Sequence, residues 1–141
     1  MVSKKRVPTA INYHSRSKLF EVSFGDEGTF SMTAEYLRVY SPSAEVRGHG
    51  QGQEVLQIGK EGVGIDRIEP VGHYAVRLCF DDGHDTGLYT WSELYRLGVE
   101  QVTLWQDYLD RLDAAGQRRK PVLQVVQPGG ITIPSKNVQD S

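Results

Sequence analysis

One stretch restricts the possible folds more than any other, the run from Ile68 to Trp91. Tyr74, Val76, Leu78 and Phe80 alternate there with Ala75, Arg77, Cys79 and Asp81, the period of two expected of a strand with one buried face. Asp82-Gly83 follows, a pair suited to the positive φ of a tight hairpin turn. Gly87-Leu-Tyr89 then runs back along the same strand and delivers Thr90-Trp91-Ser92-Glu93 to a helix start. The centre of the chain is thus a β-hairpin, and an antiparallel sheet must be built around it.

The flanking segments supply the rest of that sheet. Ile11 and Tyr13, then Leu19, Phe20, Val22 and Phe24, predict two strands joined across His14-Ser-Arg-Ser-Lys18; Gly25-Asp-Glu-Gly28 turns the chain into a third strand at Thr29-Phe-Ser31. Thr33 to Tyr40 is a short helix with Ser31 or Thr33 as its cap, ended by Pro42. Six glycines between Gly48 and Gly64 mark a loop carrying one strand at Val55–Ile58, and Ile65–Val71 is a further strand. Thr90-x-x-Glu93 has the form of a capping box, with Leu94 and Leu97 as the buried stripe and Gly98 just past the helix end. A second helix presents Val102, Trp105, Leu109 and Leu112 on one face, pairs Asp107 with Arg111, and stops at Gly116. The fold class expected is α+β: an antiparallel sheet, meander plus central β-hairpin, packed by two to three short helices, with a disordered C-terminal tail. Residues 1–9 are expected to be a flexible N-terminus, 10–115 a single domain and 116–141 a largely disordered tail, with Val122–Val126 able to add an edge strand.

Composition narrows the function classes. The chain has 141 residues, 38% hydrophobic and 24% charged, enough for a core without metal or disulfide support. Its one cysteine, Cys79, permits no intrachain disulfide and no Cys-pair zinc site. A formal net charge of −2 disfavours nucleic acid as a partner, and no apolar run suits a signal peptide or a membrane span, so a cytoplasmic location is expected. The charge is unevenly spread: residues 1–20 carry five cations and no acid, whereas Glu61 to Asp113 holds eleven acids against four arginines. Solvation explains that asymmetry, as does a docking surface for a basic partner.

Catalytic motifs are few. Gly48-His-Gly-Gln-Gly52 and Ile58-Gly-Lys-Glu-Gly62 resemble phosphate loops, but Lys60 is followed by Glu61 where a P-loop needs Ser or Thr. Ser41 and Ser43 lack the glycine-flanked elbow of a hydrolase nucleophile. Cys79, in mid-strand, is expected to be inert. Asp81, Asp82, His84 and Asp85 carry metal-ligand chemistry, but neighbours on one tight turn do not all point at a single ion. His14, His49 and His73 are expected in solvated turns.

Leu37-Arg-Val-Tyr-Ser-Pro-Ser-Ala-Glu45, Pro70-Val-Gly-His-Tyr-Ala-Val76 and Asp82-Gly-His-Asp-Thr-Gly-Leu-Tyr-Thr-Trp91 together carry a family pattern. The chain resembles the gamma-butyrobetaine-hydroxylase-like N-terminal domain family, long a domain of unknown function, over residues 10–113. The resemblance implies a compact α+β domain that stands alone in bacteria or rides on larger proteins, among them iron- and 2-oxoglutarate-dependent oxygenases acting on trimethylated amines. In those oxygenases the domain holds zinc through three cysteines after the Leu-Arg pair and the histidine of Asp-Gly-His. Here His84 matches that histidine, but Ser41-Pro-Ser-Ala-Glu45 replaces the cysteine stretch, so zinc of that design is not expected. The family's association with iron–sulfur carrier ATPases implies an accessory role in cofactor assembly.

The function expected is therefore a non-enzymatic binding or adaptor domain whose partner is another protein, accessory to iron-dependent or iron–sulfur enzymes, with no cofactor. Its expected surface comprises Arg38, Ser41, Glu45, His49 within the Gly48–Gln53 loop, Asp82, His84 and Asp85. The alternative is a zinc or iron site centred on His84 with Asp82, Asp85 and His49.

Overall fold

The computed structural model describes residues 6–42 and 56–120 in full and, as backbone, two short strands at Val125–Val126 and Thr132–Ile133. The chain opens with a meander of β1 (Ala10–His14), β2 (Leu19–Ser23) and β3 (Thr29–Thr33), antiparallel in that order. In β2, Phe20 and Val22 are buried while Leu19, Glu21 and Ser23 are half-buried, so alternation sets the buried face. Lys18 takes a left-handed φ of 58° to close the first turn, and a single 3₁₀ turn at Gly25–Glu27 closes the second.

α1 (Ala34–Val39) follows β3 directly. The Thr33 hydroxyl accepts the Tyr36 amide at 3.0 Å, the expected cap, and all six helical residues are buried. A second sheet then forms from β4 (Ile65–Val71), β5 (Ala75–Phe80) and β6 (Gly87–Thr90), again antiparallel in order. α2 (Trp91–Val99) and α3 (Gln101–Ala114) complete the domain. The architecture is α+β, with the meander and the hairpin in two separate three-stranded sheets. One apolar cluster joins them: Phe20, Val22 and Met32 from the first sheet meet Val76, Leu78 and Tyr89 from the second and Leu94, Leu97 and Tyr108 from the helices. Each such side chain contributes about 1.5–3 kcal/mol on burial.

Four tyrosines stitch the layers by donating to main-chain carbonyls: Tyr36 to Leu97 at 2.7 Å, Tyr40 to Leu104 at 2.8 Å, Tyr89 to Leu37 at 2.5 Å and Tyr108 to Gln57 at 2.7 Å. Each ring fills core volume while its hydroxyl satisfies a carbonyl. Burial pushes the Tyr36, Tyr89 and Tyr108 hydroxyls upward, Tyr108 to about 12, so they stay protonated donors. No described helix is long and apolar enough to cross a membrane.

Several local expectations need correction. β5 is covered on both faces: Ala75 and Cys79 are buried, whereas Tyr74, expected on the inner face, is 53% exposed before the strand begins. The hairpin loop is wider than the two residues Asp82-Gly83, because Leu78 pairs with Gly87 and residues 81–86 form the connection. Leu56–Ile58 is not a strand; Val55 lies outside the described residues. Gly98 sits inside α2, not beyond it, and a side chain there would place its Cβ 2.5 Å from the Phe30 ring. On α3 the buried residues are Tyr108 and Leu112, with Leu104, Trp105 and Leu109 beside them; Val102 is 83% exposed. Glu93 provides half of the capping box: its amide reaches the Thr90 hydroxyl at 3.1 Å, while its carboxylate takes Arg96 at 2.6 Å.

The ends differ too. Arg6, expected to be loose, stacks 4.0 Å from the Tyr95 ring centre and pairs with Glu27. At the other end residues 117–120 pack against the domain, and β7 (Val125–Val126) pairs with β8 (Thr132–Ile133), not with the edge of either larger sheet. The remainder of the tail lies outside the described residues.

Candidate functional site

The C-terminal end of α1 and the loop between β5 and β6 meet over 40 residues of intervening chain, and most of the expected polar residues meet with them. Arg38, in the last turn of α1, is only 7% exposed. Its Nε donates to Asp82 Oδ2 at 2.9 Å, and Lys60 Nζ donates to the same oxygen at 2.6 Å. Asp82 Oδ1 accepts the His84 main-chain amide at 3.2 Å, which folds the loop tip around Gly83, at φ 91°. The His84 imidazole turns inward: Nε2 lies 2.9 Å from Ser41 Oγ, and the ring tilts against Phe80. Ser41 is fully buried, and its Oγ would lie 2.9 Å from any Cβ added at Gly87, so glycine is needed there for the loop to close.

Electrostatics follow from that packing. Burial, then the Arg38 guanidinium, hold His84 below its ordinary value and so favour the neutral ring. For Asp82 burial works upward, but the hydrogen bonds from Lys60 and the His84 amide, with the Arg38 charge, hold the carboxyl below the usual range. The carboxylate is therefore an ionised hub that organises two cations and a loop.

Of the expected site residues, Arg38, Ser41, Asp82 and His84 come together, and Asp85 lies exposed on the same loop. Arg38 and Ser41 act from beneath the surface rather than on it. Glu45, His49 and the Gly48–Gln53 loop lie outside the described residues. The sequence around Lys60 suggests only a phosphate loop, and nothing near it signals Asp82, 22 residues on. The glycine stretch around it does not cradle an anion through Gly59 and Glu61: those amides donate to the carbonyls of Arg118 and Arg119, each at 3.0 Å.

The zinc arrangement implied by the resemblance does not fit the residues present. Ser41 and Pro42 stand where thiolates would be needed, Cys79 is buried in β5 beside Arg67, and His84 Nε2 is bonded to Ser41. Among the described residues no three His, Cys, Asp or Glu side chains gather as a ligand set. Catalysis by Ser41 meets a geometric obstacle, because a fully buried hydroxyl offers a substrate no approach.

No curated protein matches the chain. Among solved structures, one NMR solution structure is 50% identical over 87% of this chain and 97% of its own, with a TM-score of 0.74. A second, also from NMR, is 48% identical over 89% and 94%, with a TM-score of 0.72. A crystal structure of a protein of unknown function in the DUF971 family, from Acidithiobacillus ferrooxidans, is 41% identical over 64% and 91%, with a TM-score of 0.54. Residues 11–95, from β1 through the middle of α2 and including the whole Arg38–Asp82–His84 cluster, match the family described as gamma-butyrobetaine hydroxylase-like, N-terminal, and the chain belongs to that family.

Proposed function

We propose that this domain works by binding another protein, through the surface where Lys60, Asp82, His84 and Asp85 emerge, with Arg38 and Ser41 as its buried supports. The observation that carries this reading is the commitment of Asp82. One of its oxygens holds two cations and the other fixes the His84 amide, so the carboxylate shapes the loop and is not poised to take a proton. Ser41, in turn, orients the imidazole from below. A loop tip fixed by these bonds and carrying charge of both signs is well suited to recognition, since charge complementarity confers specificity on a docking surface. The family's occurrence on iron-dependent enzymes directs attention to iron and iron–sulfur proteins as partners.

The test has two parts. Elemental analysis of untagged protein comes first, repeated on His84→Ala: a stoichiometric ion lost in the variant would replace this reading with a metal site at His84. Affinity capture then compares the wild type with the Lys60→Ala/His84→Ala/Asp85→Ala variant, which spares buried Arg38. A specific partner lost by the variant supports the surface; one retained at full strength removes it.

A further inference from the structure

α1 carries a second buried charge, Glu35, only 4% exposed and one turn before Arg38. It is satisfied from the far end of the chain. Arg119 Nε and Nη2 donate to its two oxygens at 2.9 and 2.8 Å, a bidentate fork spanning 84 positions. Glu61 stands 3.6 Å from the same guanidinium, whose carbon lies 5.2 Å from the centre of the Trp105 ring. The guanidinium thus sits among a buried carboxylate, a second, part-exposed carboxylate and an indole ring. That combination matches the planar, five-donor guanidinium and not the compact ammonium of lysine.

The occupant is held less firmly than the socket. The Arg119 side chain is 38% exposed. Its strap, residues 117–120, offers the Arg118 and Arg119 carbonyls to Gly59 and Glu61 and is reached through Gly116, at φ 66° with open space around it. Alongside lies a groove of 340 Å³, with Leu109 and Leu112 in its lining, Glu61 and Asp113 beside them, and the strap itself, Gln117 to Lys120, as its remaining wall. The strap supplies all the cations of that lining; without it, two acids and two leucines remain, which suits a segment that pairs an arginine with apolar neighbours.

We propose that the Glu35–Trp105 socket is an arginine-recognition site, filled in cis by Arg119, and that an arginine-bearing segment of a partner protein takes the socket in exchange for the strap. The exchange is like for like, so Glu35 remains paired with a guanidinium in both states. A tethered occupant competes at an effective concentration on the order of millimolar. The intact chain therefore masks the site until the strap is displaced.

The experiment titrates full-length protein with N-acetyl-arginine amide and its lysine counterpart, following the Trp105 indole resonance. Arg119→Ala should bind the arginine probe about tenfold or more tightly than the wild type, should bind the lysine probe far more weakly, and should lose the gain when Glu35→Gln is added. On the wild type, a short peptide with one arginine between leucines should shift the same resonance and speed hydrogen exchange at the Gly59 and Glu61 amides. If Arg119→Ala does not fold, Arg119→Lys replaces it under the same criteria. Equal binding by variant and wild type, no preference for arginine, indifference to Glu35→Gln, or no response of the wild type to the peptide would each overturn the proposal and leave the pair as a structural clamp.

Discussion

Glu35 and Arg38 lie one turn apart on the same six-residue helix, both buried, and the chain satisfies them in opposite ways. Arg38 pairs with Asp82, whose side chain is 20% exposed, set in a loop between two strands and shared with Lys60. Glu35 pairs with Arg119, 38% exposed, on a strap beyond the last long helix. The cost of breaking a buried pair depends on what the orphaned charge can do next. Arg38 is buried, and its Nη1 has no partner among the described residues. Glu35 can be reached by water once the strap lifts. One partner is therefore part of the frame and the other is a removable part.

The sharpest way to break this comparison is to remove each partner and melt the protein in urea. Asp82→Asn keeps the shape but strands Arg38, and should cost about 3 kcal/mol, in the range for one lost partner of a buried pair. Arg119→Ala should cost less, about 2 kcal/mol, because its site opens to solvent. Equal or reversed costs would show that the strap belongs to the frame.

A pH series sharpens the Arg38 side. His84 titrates lower in the folded than in the unfolded chain, so the unfolded state takes the proton first and its uptake opposes folding. This contribution is complete above about pH 6.5, the ordinary histidine value, and is lost as pH falls from there toward the folded value. Asp82, held low, adds a separate loss below the ordinary aspartate range. Urea midpoints from pH 8 to 5 should show the first decline in the wild type and not in His84→Gln.

The smallest effect is expected at Lys60. Lys60→Met removes the outer of two cations on Asp82 and should cost about 0.5 kcal/mol, as partly exposed pairs do. It should nevertheless raise the His84 titration midpoint seen by NMR, because Lys60 is one of the cations holding it down. An unmoved midpoint would disconnect Lys60 from the site.

Much of the local structure was legible from short-range chemistry. The β1–β3 meander, the Thr33 and Thr90 caps, the Asp107–Arg111 pair at 3.2 Å and the stop at Gly116 all depend on residues a few positions apart. The site was legible in half. His84 and Asp82 stood out as titratable neighbours on a turn, and Arg38 and Ser41 through the family pattern; that Arg38 and Ser41 are buried, and that Lys60 joins them, had no local signature. Errors clustered where a neighbour from elsewhere decides. Val102 fits the spacing of α3 but is 83% exposed, because the face packed on the core is the one that carries Leu104, Tyr108 and Leu112. Gly98 looks like a helix terminator, yet it is the space into which Phe30 packs.

The sequence by itself determined an antiparallel α+β domain, the order of its meander, hairpin and helices, its hydroxyl caps and its family pattern, because hydrophobic period, turn residues and capping hydroxyls act over one to seven positions. Only the tertiary structure decided which charges are buried and what holds them. Arg38 meets Asp82 across 44 positions and Glu35 meets Arg119 across 84, and such pairs are selected by the desolvation of a particular packed site rather than by any preference the residues carry alone.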